Sequence, residues 1–72
     1  MTLVQLRYLI QVAESGSISA AAEKLFIAQP SLSKAIAELE SEMGVTIFAR
    51  SSRGVELTEE GARFLAYARQ VV

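Results

Sequence analysis

The stretch SAAAEKLFIAQPSLSKAI, residues 19–36, decides how the chain is read. Small and helix-favouring residues, Ala20-Ala21-Ala22-Glu23-Lys24-Leu25, give way to the apolar segment Phe26-Ile27-Ala28, and a second helical pattern opens at Gln29-Pro30. Proline suits the first turn of a helix, because its fixed φ is already helical and its missing N–H has no intrahelical partner to lose. From there Leu32, Ile36, Leu39 and Met43 step by four, three and four residues. That is one apolar stripe of an amphipathic helix, with Pro30, Ser31, Ser33, Lys34, Ala37, Glu38 and Ser41 on the opposite face. Ser17 and Ser19 both suit the cap of the first helix, and Ser19 is favoured because the alanines follow it at once. Ala21 and Ala22 permit a crossing helix to approach closely. Phe26-Ile27-Ala28 is too apolar for an exposed loop and is expected to plug the corner. Residues 19–36 thus read as a helix-turn-helix.

Outward from this stretch, Thr2 and Gln5 have capping-box spacing and open a helix over about 3–15. Leu3, Leu6, Ile10 and Ala13 form its core face, and Val4, Tyr8 and Val12 form a second apolar line. A helix with two apolar faces packs on two things: its own core, and a neighbouring helix or subunit. Ser15-Gly16 ends it, and Gly44 ends the third helix. Ile47-Phe48-Ala49-Arg50 and Gly54-Val55-Glu56-Leu57 flank Ser51-Ser52-Arg53 as a small hairpin. Phe48 and Met43 are assigned to the core. Thr58 caps a last helix with Glu59 and Glu60 in its first turn, where they favour the helix dipole. Gly61, Phe64, Leu65, Ala68, Val71 and Val72 form its apolar stripe. The fold class is mostly α: a winged helix-turn-helix with a three-helix core, a two-stranded wing and a C-terminal linker helix.

Composition limits the functions open to this chain. Seventy-two residues make one domain that buries only about 60% of its unfolded surface, so burial against a partner helps. With no cysteine and no histidine, disulfides, thiol chemistry, the usual Zn²⁺ sites and a histidine base are excluded. No catalytic residue, metal site or cofactor is nominated. No apolar run approaches the ~20 residues of a membrane span and no signal-peptide layout begins the chain, so a cytoplasmic protein and no membrane partner are expected. The net charge of −1 runs against the basic footprint of nucleic-acid binders. Its distribution is more favourable: Glu38, Glu40, Glu42 and Glu56 occupy the later parts of elements and Glu59 and Glu60 open the last helix, while Lys34, Arg50 and Arg53 can converge on one side.

A helix in the major groove reads base edges from its first turns, while phosphates are held by basic side chains, hydroxyls and helix N-termini. The third helix supplies these groups at its start. Gln29 suits an adenine edge, Pro30 a thymine methyl, Ser31 and Ser33 are short donors, and Lys34 reaches guanine acceptors or a phosphate. Arg50 and Arg53 add a basic wing for the minor groove or backbone. Glu38 repels phosphate, so the helix should enter N-terminus first and tilt its later half away. The competing reading is a winged-helix protein-interaction or dimerisation module without DNA binding, which the acidic balance favours.

The chain closely resembles the N-terminal domain of LysR-type transcriptional regulators over nearly all its length. The resemblance is carried by Leu6-Arg7-Tyr8, Gly16-Ser17-Ile18-Ser19, Ala21-Ala22, Leu25, Gln29-Pro30-Ser31-Leu32-Ser33-Lys34, Ile36 and Leu39-Glu40. Gly44, Ile47-Phe48, Arg50, Arg53, Leu57-Thr58 and Gly61 complete it. It implies a DNA-binding domain over 1–57, the start of a linker and dimerisation helix over 58–72, and an effector domain absent from this sequence. It further implies a homodimer, possibly a tetramer in a full-length parent, bound to double-stranded operator or promoter DNA, cytoplasmic and associated with the nucleoid. A small-molecule effector is implied only where a C-terminal domain exists. DNA contacts carry over onto Gln29, Pro30, Ser31, Ser33, Lys34, Arg50 and Arg53. Dimer contacts are expected at Val4, Tyr8, Val12, Phe64, Leu65, Ala68, Val71 and Val72. Three positions depart from the family pattern: Ile18 where Phe is common, Ala28 where Ser or Thr often caps the recognition helix, and Lys34 where Arg is usual. Lysine lacks the planar fork for guanine, which favours phosphate contact there.

Overall fold

Side-chain caps and glycines divide the chain into its elements, as seen in a computed structural model that describes residues 1–52 and 54–72. Helix α1 spans Leu3–Ser15. The Gln5 amide donates to Thr2 Oγ1 at 3.1 Å and the Thr2 amide donates to Gln5 Oε1 at 3.0 Å, the reciprocal bonds of a capping box. Gly16 closes α1 in the left-handed region, φ 75°. Helix α2 spans Ile18–Leu25 and α3 spans Gln29–Met43. Strands β1, Phe48–Ser51, and β2, Gly54–Leu57, pair antiparallel with Phe48 opposite Leu57 and Arg50 opposite Val55. Helix α4 spans Glu59–Val71, with Thr58 Oγ1 accepting from the Gly61 amide at 2.9 Å.

The core is formed by Leu6, Leu9 and Val12 of α1, Ile18, Ala21 and Ala22 of α2, and Leu32, Ile36 and Leu39 of α3. Ile47, Phe48, Leu65 and Ala68 close it from the wing and α4. Helix α1 packs against α2, α3, α4 and β2. It therefore buries a broad arc, which corrects two sequence expectations. Leu3 is 46% exposed, whereas Leu9, not assigned to either face, is fully buried. Val12 belongs to the protomer's own core and not to an uncovered second face.

Three further differences have local causes. Ser17, not Ser19, caps α2: its Oγ accepts from the Ala20 amide at 3.0 Å, and the helix starts two residues earlier, with Ile18 in the core. Met43 lies in the last turn of α3, beyond the packed stripe that ends at Leu39, and remains 38% exposed. Phe26 does not plug the corner. It takes the left-handed conformation, φ 58°, and is 94% exposed, while the next residue, Ile27, turns inward and its amide donates to the Ala22 carbonyl at 3.1 Å.

The wing and α4 are seated by backbone approaching backbone. The Thr58 amide donates to the Ile47 carbonyl at 2.9 Å, and its hydroxyl donates to the Thr46 carbonyl at 2.5 Å. A Cβ added at Gly61 would lie 2.1 Å from the Ile47 carbonyl oxygen, so only glycine allows α4 this close. At the other end of the wing, the Val55 amide donates to the Gly16 carbonyl at 3.0 Å, and a Cβ at Gly54 would meet that same oxygen at 2.3 Å. Gly61→Ala is expected to cost about 1–3 kcal/mol, as overpacking against rigid backbone does. Urea denaturation checks this; an unchanged midpoint would show that α4 docks with room to spare.

Candidate nucleic-acid interface

The start of α3 differs from the other helix starts. Thr2, Ser17 and Thr58 each cap their helix with a side-chain oxygen, but Ala28 at the start of α3 has none to offer. Pro30 has no N–H, and the amides of Gln29 and Ser31 donate to no described residue. Two outward amides at the positive end of a 15-residue helix form a ready acceptor site for an anion. Gln29, Pro30, Ser31 and Lys34 are exposed and Ser33 is half-buried. The buried stripe of Leu32, Ile36 and Leu39 fixes the rotation of the helix, so these residues share the outer face with Ala37, Glu38 and Ser41.

Arg50 is exposed on β1 and forms no salt bridge with a described residue; the same is true of Lys34. Across the hairpin Arg50 stands opposite Val55, and Glu56 opposite Ala49. Acidic residues elsewhere are engaged: Glu14 with Arg69 at 3.7 Å, Glu59 with Arg63 at 3.9 Å, and Glu42 with the Met1 amino group. The expected contact at Arg53 lies outside the described residues.

One residue that holds the site together, Glu40, has no structural role among the sequence expectations. The Glu40 carboxylate accepts from the Ile47 amide at 2.7 Å and from the Phe48 amide at 3.1 Å. Its own carbonyl accepts from Gly44 and Val45 as the chain leaves α3. Glu40 thus ties the recognition helix to the first residue of the strand that carries Arg50. Its side-chain partners lie seven and eight residues downstream, beyond the reach of any local pattern.

The expected dimer residues separate into two groups. Val4, Val71 and Val72 are about half exposed, and Tyr8 and Phe64 are half-buried. Val12, Leu65 and Ala68 are buried in the protomer and have no free surface for a partner. Tyr67, absent from the expectation, is 50% exposed, and its ring centroid lies 5.8 Å from that of Phe64.

Residues 3–62 match the family described as bacterial regulatory helix-turn-helix protein, lysR family. The chain belongs to this family. All of it aligns at 50% identity with the transcriptional regulator ClcR of Pseudomonas putida, covering 24% of that protein. BenM of Acinetobacter baylyi is 48% identical over 68 residues, 94% of this chain and 22% of BenM. The chain therefore spans about a quarter of the length of its curated relatives. Among solved structures, the DNA complex of the CbnR DNA-binding domain superposes with a TM-score of 0.96 at 44% identity, over 99% of this chain and 82% of that one. The BenM DNA-binding domain on its benA site 1 DNA gives 0.93 at 46% identity, over 99% and 83%. Among the described residues no helix is long and apolar enough to cross a membrane.

Glu40→Ala removes the acceptor of two amide bonds and is expected to destabilise the LysR-type fold by about 1.5–3 kcal/mol, the range for hydrogen bonds to a charged group. Native-state hydrogen exchange at Ile47 and Phe48 should accelerate together. Unchanged protection at both would remove Glu40 as the tie between α3 and the wing.

Proposed function

We propose that the chain is the DNA-binding domain of a LysR-type transcriptional regulator, acting by sequence-specific binding to duplex DNA and not by catalysis. The observation that carries this is the uncapped start of α3, where Gln29, Pro30, Ser31 and Lys34 are exposed beside two unused amides. The solved DNA complexes of CbnR and BenM domains of the same fold support it. In this reading α3 enters the major groove by its N-terminus. Gln29 reads a base edge, Pro30 presents apolar surface, and Ser31, Ser33 and Lys34 meet phosphates or base acceptors. Arg50, and Arg53 from its place in the sequence, serve the backbone or minor groove. Glu38 marks the point beyond which the helix leaves the DNA.

The exposed apolar residues Val4, Tyr67, Val71 and Val72, with Tyr8 and Phe64 at the margin, suit a homodimer in a longer parent. The greater length of the relatives, of which this chain covers about a quarter, supports a further region beyond this domain in a longer parent, proposed to bind an effector. Membership of a DNA-binding regulator family supports a cytoplasmic, DNA-associated location. The net charge of −1 favours the rival, a protein-interaction module, and salt dependence separates the two. For DNA binding, log K falls linearly with log salt by roughly 0.9 per phosphate contact, and Lys34→Ala lowers that slope by about one. Gln29→Ala should instead cost about 1–3 kcal/mol of base discrimination. A flat salt response, or no binding at low salt, overturns the proposal.

A further inference from the structure

Phe26 is the most exposed large apolar side chain of the described residues, at 94%, and it stands at the corner of the helix-turn-helix. Its backbone is left-handed, φ 58°, a region that L residues other than Asn, Asp and His seldom enter. Phenylalanine there carries two costs, exposure and backbone strain, and its side chain returns no packing to the fold. A glycine or asparagine would close the same turn more easily, with the Phe26 amide still donating to the Glu23 carbonyl at 3.3 Å. Strain kept at such a position points to use.

Its neighbours indicate the use. Ile27 turns inward and ties its amide to Ala22, which sends residue 26 outward. Two residues later comes Ala28, the N-cap of α3, and then Gln29. Two residues of chain span at most about 7 Å, within reach of a phenylalanine side chain from the mouth of the proposed contact. When α3 enters a groove N-terminus first, the segment before it passes the groove wall, which is made of deoxyribose and phosphate. A neutral aromatic face suits the C–H surface of the sugars and not the charged oxygens.

We propose that Phe26 packs on the deoxyribose wall of the DNA groove beside the recognition helix, an apolar contact additional to the polar ones of α3 and the wing. This inference rests on the DNA-binding reading above. The chain contains no tryptophan, so Phe26→Trp places a single reporter at this position. A mixed-sequence duplex at low ionic strength is added, and binding is followed separately by the anisotropy of labelled DNA. On binding, the tryptophan emission should shift to the blue and its quenching by acrylamide should fall at least twofold. Phe26→Asn, which relieves the left-handed strain, should keep or raise the melting temperature while weakening binding severalfold with an unchanged salt slope.

If wild-type protein binds DNA but the tryptophan stays equally quenchable and Phe26→Asn binds as tightly, Phe26 is not a contact. If emission shifts with protein concentration in the absence of DNA, a second copy covers the residue and the proposal is overturned. Failure of wild-type protein to bind DNA at low salt is a different result: it removes the DNA-binding reading, and this inference with it.

Discussion

The Glu40 carboxylate is the constraint on which the geometry of this domain depends. A helix and a hairpin separated by a short connection have no intrinsic reason to keep one orientation. Two amides gathered on one carboxylate oxygen, at 2.7 and 3.1 Å, provide it. The bond is made from the third helix, whose rotation is already fixed by Leu32, Ile36 and Leu39 in the core. The Glu40 side chain therefore links the placement of Arg50 to that of Lys34, alongside the core burial of Ile47 and Phe48. A charge-assisted acceptor suits this task because it holds two donors at once and is roughly twice as strong as a neutral one.

Around that tie, the remaining joints are places where backbone meets backbone. Gly61 lets the start of α4 rest on the Ile47 carbonyl, and Gly54 lets β2 rest on the Gly16 carbonyl. Helix α1 lies between these joints and packs against α2, α3, α4 and β2. A small domain has little core, and this one adds precision with hydrogen bonds and close contacts at the edges of its core. The side proposed to face DNA has the reverse character. The cap of α3 is missing, its first amides are unused, and Phe26 is exposed and strained. Local rules are broken where the domain is proposed to work, and kept elsewhere.

Much of this was legible in the sequence because the signals are local. The capping box at Thr2, the proline at position 30 and the stripe of α3 each place an element within a turn, and the order of elements then gives the winged helix-turn-helix. The exposed residues at the start of α3 follow from the same stripe. What was not legible is set by tertiary contacts. Leu9 and Val12 are buried because α1 has neighbours on several sides, which no single-helix pattern reveals. The role of Glu40 depends on amides seven and eight residues away. Leu65 and Ala68 carry an apolar stripe equally suited to a core or to a partner, and the fold assigns them to the core. At the corner, hydrophobicity argued for burying Phe26, but the turn requires a left-handed residue there and turns the side chain out.

In the proposed complex DNA meets the first turns of α3 and the wing, and leaves the helix before Glu38. Amide chemical-shift mapping during titration with a short duplex tests it residue by residue. Large shifts are expected at Gln29, Ser31, Ser33, Lys34 and Arg50, with Glu38, Ser41 and the α4 amides little changed. Shifts centred on α4 or on the later half of α3, with Gln29 to Lys34 unmoved, would contradict it.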